Sequence, residues 1–339
     1  METLSNRIKS IDFSRREILI GLAAINLLAP NLVMAQNSHN NKFAEKTSQM
    51  NLAQMLLHST ILIRCMSATG ENSAGTGFIL SLFEKDQQHV IGIVTNKHVI
   101  DGASIGTLKF TLTKPDGSAD IGKSTEIAID NFSNRWIRHP SQDVDLAFLP
   151  IGPYIQQFES QSIKPFFIPL NLSLVPTDDV FKGLTPLEEV LIVGYPDGIS
   201  DNVNNLPIFR RGITATSSNI NFDGKPQFLI DAAIFPGSSG SPTLIFNQGS
   251  YSSPDGGIIL GGRIILIGIV FAVALHTSNG EIKIVPAPTQ SKSIVQTQIP
   301  NNLGICVSSQ RLLDFEPILV GAGFVPPQDY VMRVQKPYI

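Results

Sequence analysis

From Thr60 onward the apolar residues arrive in short runs: TILIRCM, GTGFILSLF, HVIGIVT, TLKFTLT, DLAFLPI, EVLIVGY, QFLIDAAI, SPTLIFN and IILIGIVFAVAL. They are rich in Ile, Val, Phe and Thr, and Gly, Pro, Asn and Asp bound them. Runs of this length, closely spaced and with few helical periods between them, predict an all-β sandwich or a pair of barrels. Only MNLAQMLLH and SSQRLLDFEPIL read as helical, the second with Ser308 or Ser309 able to cap its first turn. A proline-bearing connection from Gly152 to Leu187 separates an early strand cluster from a later one, so two barrels joined by a crossing segment are expected. A second irregular stretch, APTQSKSIVQTQIPNN from Ala287, reads as a surface loop between the last strands. The expected order is residues 53–151 for the first barrel, 152–186 for the connection, 187–320 for the second barrel with a C-terminal helix, and 321–339 for a tail.

The N-terminus has a different character. Ser14-Arg15-Arg16 precedes an apolar stretch from Ile18 to Leu32, followed by the small-residue site Val33-Met34-Ala35. Charge, hydrophobe and cleavage site in that order predict an export signal over residues 1–35, of the twin-arginine type or an ordinary Sec type, with an uncleaved anchor as the third option. The mature chain then starts near Gln36, carries a polar lead-in over 36–52, and works in the periplasm or outside the cell. No other segment reaches the ~20 uninterrupted apolar residues of a spanning helix. Of 339 residues 42% are hydrophobic and 16% charged, which is a globular composition. With 25 basic against 28 acidic residues, a net of −3, there is no overall basic field to gather nucleic acid. Cys65 and Cys306, the two cysteines, cannot build a four-thiolate zinc site; they either form one bridge or stay as small buried hydrophobes.

Between two apolar runs lies FPGSSGSP, residues 235–242. Small residues here serve a tight turn, or they surround a nucleophile whose neighbours offer backbone N–H groups to negative charge. A serine at neutral pH needs a base. Among the histidines His98 stands out, because it ends the apolar strand IGIVTN and precedes the turning sequence VIDG. A carboxylate must orient that imidazole. QDVDLAFLPI offers Asp143 and Asp145, which alternation places on one strand face; Asp145 abuts LAFL and is the covered one.

These pieces resemble the catalytic motifs of chymotrypsin-fold, trypsin-like serine proteases, in particular their bacterial secreted branch: His98 in VTNKHVI, Asp145 in DLAFL and Ser239 in GSSGSP. GTGFIL resembles the strand before the histidine motif in HtrA-type and glutamyl-endopeptidase-type enzymes. VLIVGYPDG is similar to the opening of their second barrel, FLIDAAIFPGSSGSP, with its leading Asp231, to their nucleophile loop, and NLGICVSSQRLLDF to their last strand and helix. The likeness covers about residues 55 to 318. It implies two antiparallel six-stranded Greek-key barrels with a C-terminal helix, a His98–Asp145–Ser239 triad, and an oxyanion hole from the backbone N–H groups of Gly237 and Ser239. It further implies a polypeptide substrate and neither metal nor organic cofactor, and residues 319 to 339 are too few for an appended PDZ domain. Two departures stand out. Ser238 occupies the place where digestive enzymes carry an Asp that pairs with a new N-terminus, so activation by that ion pair is not expected. Ser241 replaces the second glycine after the nucleophile, as in glutamyl endopeptidases.

The family's specificity pocket corresponds to Ala233, six residues before the nucleophile, and to the strand Gly268 to Phe271, represented by Val270 and Phe271. No acidic residue stands there, and His276 comes several residues too late to serve a glutamyl pocket. A shallow apolar pocket for small or aliphatic side chains is expected. Two other readings remain: a protease-fold protein that binds a partner without catalysis, and an α/β-hydrolase esterase, which requires the chain order Ser, acid, His.

Overall fold

The computed structural model describes residues 52–86, 88–282 and 293–333. The expected export signal, nearly all of the lead-in, the 287–292 part of the expected loop and the last residues of the tail lie outside them. The described chain opens with a short helix α1 (Leu52–Leu56) and then builds β1 (Thr60–Ser67), β2 (Asn72–Lys85) and β3 (Gln88–Thr95). A four-residue helix α2 (Lys97–Ile100) leads to β4 (Ala103–Thr113), β5 (Ala119–Asp130), β6 (Ile137–Arg138) and β7 (Ala147–Pro150). The connection holds helix α3 (Gly152–Ser160), the two-residue strands β8 (Pro165–Phe166) and β9 (Leu170–Asn171), and helix α4 (Asp178–Lys182). The second half consists of β10 (Glu189–Gly194), β11 (Ile208–Thr214), β12 (Gln227–Ala232), β13 (Pro242–Asn247), a small hairpin of β14 (Ser250–Ser252) and β15 (Ile258–Leu260), and the long pair β16 (Arg263–Ile282) and β17 (Ser293–Ser308). Helix α5 (Phe315–Gly321) follows a 3-10 turn at Ser309–Asp314.

The first half is a nine-stranded sheet in the order β5-β4-β1-β2-β3-β7-β6, with β8 added to β4 and β9 to β2. The second half is a closed barrel, β10-β11-β12-β17-β16-β13. This is a chymotrypsin-like, all-β architecture with a C-terminal helix. Apart from β9, which runs parallel to β2, the strand pairings are antiparallel. That excludes the helix-covered parallel sheet an α/β-hydrolase needs, and the esterase reading ends here.

Each apolar run supplies a strand, and the reason the runs are continuous rather than alternating lies in three cores. Ile61, Ile63, Ile79, Ile93, Leu108 and Trp136 fill the first half; Ile192, Phe228, Ile230, Ile245, Ile267 and Val270 fill the second. A third cluster, with Phe78, Leu80, Phe148, Val193, Leu244, Ile269 and Phe315, joins the two halves and the C-terminal helix. Successive side chains point to opposite faces, so β2 sends Ile79 into its own half and Phe78 and Leu80 against the other. A strand buried on both faces reads as an unbroken hydrophobic run.

Several sequence expectations are corrected by the same physics. The strands β5 and β11 lack apolar runs because most of their side chains are half or fully exposed; in β5 only Ile127 and Ile129 are buried. The connection is partly helical, and Thr177 caps α4 by accepting the Val180 N–H at 3.3 Å. The second expected helix begins as a 3-10 turn, and Ser308 at its N-cap position makes no capping bond. Residues 293–302, expected in a loop, belong to β17. The two cysteines are free and buried, Cys65 in the first core and Cys306 in the second, and burial pushes both thiols up to about 12. No described helix is long and apolar enough to cross a membrane.

Candidate active site

His98 sits on α2, directly after β3. Thr95 and Asn96 are fully buried, and Val99 and Ile100 anchor the helix in the first core. Gly75 of β2 makes that anchor possible, because a Cβ there would lie 2.5 Å from Val99 Cγ1. The segment carrying Asp145 is held by Asn96, whose Nδ2 donates to the Asp145 carbonyl at 2.7 Å, and by Lys97, whose Nζ donates to the Ser141 carbonyl at 2.8 Å. Asp145 precedes β7 rather than lying within it, so strand alternation does not relate it to Asp143. Asp143 is exposed in a turn, 3.6 Å from Lys225 Nζ.

The three sequence-nominated side chains come together. His98 Nδ1 is 2.5 Å from Asp145 Oδ2, and His98 Nε2 is 2.9 Å from Ser239 Oγ. Asp145 Oδ1 also accepts the His98 backbone N–H at 3.3 Å. Burial raises the Asp145 pKa, but the hydrogen bond and charge of His98, with the backbone N–H groups of His98 and Lys97, outweigh it and hold the carboxyl below its ordinary value. An ionised carboxylate facing Nδ1 keeps the proton on that nitrogen and leaves Nε2 free to accept from a hydroxyl.

Phe235, Pro236, Gly237 and Ser238 form a turn closed by the Ser238 N–H on the Phe235 carbonyl at 3.0 Å, with Gly237 at φ 84. Pro at the second and Gly at the third position suit a type II turn. The two amides nominated for the oxyanion hole belong to peptides whose carbonyls are engaged: Pro236 O accepts from Asp197 N–H at 2.5 Å, and Ser238 O from Ser241 N–H at 3.0 Å. In a planar trans peptide the N–H points opposite to the C=O, so the Gly237 and Ser239 amides are aimed away from those partners. Among the described residues neither amide donates to a backbone carbonyl, whereas Ser238, Gly240 and Ser241 do. Both residues are half-buried, and such a pair of donors is suited to receive an anion.

Of the nominated pocket residues, Ala233 is exposed and Phe271 is half-buried, packed on the central core. Val270 is fully enclosed in the second core, so its side chain does not line an open pocket; its backbone accepts from Gly240 N–H at 2.8 Å and donates to Ser241 O at 3.0 Å. Arg210 of β11 supports the loop from behind, donating to the Ala233 carbonyl at 2.7 Å with its guanidinium 4.7 Å from the Phe235 ring centre. Sequence reading missed Arg210, Asn96, Asp197 and Thr76. Their signal is slight: each is a single polar residue in or beside an element, and only the fold brings Arg210, Asp197 and Thr76 to the loop and Asn96 to Asp145.

Across residues 75–250, a little over half of the chain, the sequence matches the family model of the trypsin-like peptidase domain. The chain belongs to that family. As a trypsin-like peptidase it is a serine endopeptidase acting on polypeptides. Solved structures similar to this peptidase include the active form of the Rv3671c protease from M. tuberculosis, at 16% identity over 88% of this chain and 94% of that one, TM-score 0.40. Another is GrC, at 13% identity over 80% and 96%, TM-score 0.42. No curated protein matches the chain. Among its described residues the peptidase has no group of three or more His, Cys, Asp or Glu that could hold a metal.

Proposed function

We propose that this peptidase cleaves peptide bonds through an acyl-enzyme formed on Ser239, with His98 as general base and then general acid and Asp145 as the group that orients the imidazole. As Ser239 Oγ attacks the scissile carbonyl, His98 Nε2 takes the hydroxyl proton and passes it to the leaving amine; water then repeats the sequence to release the acyl group. The Gly237 and Ser239 amides stabilise the charge that develops on the carbonyl oxygen. The observation that carries this reading is the 2.9 Å contact between His98 Nε2 and Ser239 Oγ, within reach for direct proton transfer. Because Ala233 is small and Phe271 apolar, the side chain before the scissile bond is small or aliphatic, and peptide-library cleavage dominated by Lys, Arg or Glu at that position overturns this part. The export signal expected over residues 1–35 would place the activity in the periplasm or outside the cell.

A fluorophosphonate probe tests the nucleophile. The wild type is expected to become labelled and Ser239→Ala to remain unlabelled. A folded wild type that stays unlabelled overturns the reading and favours a protease-fold binding protein.

A further inference from the structure

We infer that Thr76 is a positioning residue for the oxyanion hole, its side-chain hydroxyl fixing the Gly237–Ser238 peptide from the opposite half of the molecule. The inference rests on the proposed acyl-transfer reading and names a part of that site which the triad does not include. Thr76 lies on β2 in the first half and is completely buried. Its hydroxyl accepts the Tyr195 N–H at 2.9 Å and donates to the Gly237 carbonyl at 2.8 Å. A hydroxyl carries one proton, and the Tyr195 donor occupies a lone pair, so that proton is committed to Gly237.

The same residue also holds the nucleophile's own carbonyl. Thr76 N–H donates to Ser239 O at 2.8 Å, while Thr76 O accepts from the buried Thr95 hydroxyl at 2.7 Å. With Asp197 N–H on Pro236 O, both peptides that flank Gly237 are pinned. This matters because Gly237, lacking a side chain, can reorient the peptides on either side of it at little cost. Without a hold on its carbonyl, the Gly237–Ser238 peptide would keep the turn bond from Ser238 N–H to the Phe235 carbonyl but could tilt about it, and the adjoining amides would lose their common aim. Glycines leave room for Thr76: a Cβ on Gly194 would lie 2.7 Å from Thr76 Oγ1, and one on Gly240 would strike the Thr76 carbonyl.

The test compares Thr76→Val, which keeps the shape and removes the hydroxyl, with Thr76→Ser, which restores it, against wild type and Ser239→Ala. In peptide hydrolysis Thr76→Val is expected to lower kcat by about 10- to 100-fold with KM within about twofold, and Thr76→Ser to recover most of it, because a donor to the transition state acts on kcat. Wild-type kcat in folded Thr76→Val overturns the inference, as does an equal loss in Thr76→Ser. Should Thr76→Val not fold, Thr76→Ala in place of it is read by the same criteria. If the wild type shows no Ser239-dependent turnover, the acyl-transfer reading is what fails. A crystal structure of the variant then still decides this inference: a Gly237 carbonyl turned away from residue 76 supports it, and a Gly237 carbonyl left in its wild-type orientation overturns it.

Discussion

At the scale of the residue, Asp145 is placed to orient the base of the proposed reaction without itself exchanging a proton. Its two oxygens are both engaged by His98, one on the ring and one on the backbone, so the imidazole has a fixed orientation and a fixed tautomer. In Asp145→Asn the amide can present its NH2 to Nδ1, which favours the proton on Nε2, where the base must be free. Turnover is therefore expected to fall by roughly 10⁴ with the fold kept, checked by steady-state hydrolysis beside a thermal melt; a loss under tenfold would speak against the orienting role. The convergence of His98, Asp145 and Ser239 was legible in the sequence because each stands beside a strand-forming run in a small or turning context. Thr76 and Arg210 were not, because a threonine in GTGF and an arginine in IFRRGIT look like ordinary strand residues until the fold sets them against Gly237 and Ala233.

At the scale of the element, the segment from Phe235 to Pro242 is a turn built around two left-handed glycines, Gly237 and Gly240, at φ 84 and 88. Any other L-residue at φ > 0 is strained, by roughly 1–2 kcal/mol. At Gly237 the added carbon would also sit 2.6 Å from the Tyr195 carbonyl. Gly237→Ala thus displaces the amide it carries: kcat is expected to drop by about 10²–10³, the effect of removing one oxyanion donor, while the melting temperature falls by only a few degrees. Unchanged kcat with a lowered melting temperature would show that the Gly237 amide takes no part. Strands with both faces buried announced themselves as apolar runs, but the short helices did not. α2 has four residues and α4 five, less than two turns, so no hydrophobic period can develop, and α3 starts beside a proline in a segment that reads as a connection.

At the scale of the whole molecule, the three cores hold the His98 side and the Ser239 side in register, and two buried histidines are expected to make the fold sensitive to acid. His58 is buried edge-on to Phe166, ring centres 4.9 Å apart, and burial lowers its pKa to about 4. His139 is buried where the first half meets the C-terminal segment, its Nε2 3.0 Å from Asp314 Oδ2, and burial lowers its pKa as well, with the Asp314 bond opposing. As pH falls below about 6.5 an unfolded histidine takes up a proton. Native His58 does not until about pH 4. Between those values the unfolded chain binds more protons, so stability rises with pH: the contribution is intact above about 6.5 and lost progressively on the way down to the folded pKa. For His58 alone the span corresponds to roughly 3 kcal/mol, a sizeable part of the stability of an ordinary domain. His58→Phe keeps an edge-on ring against Phe166 and removes the titration. Urea midpoints measured from pH 7.5 to pH 4.5 are therefore expected to fall steeply in the wild type and less steeply in the variant, while parallel slopes would show that His58 is not a source of acid sensitivity.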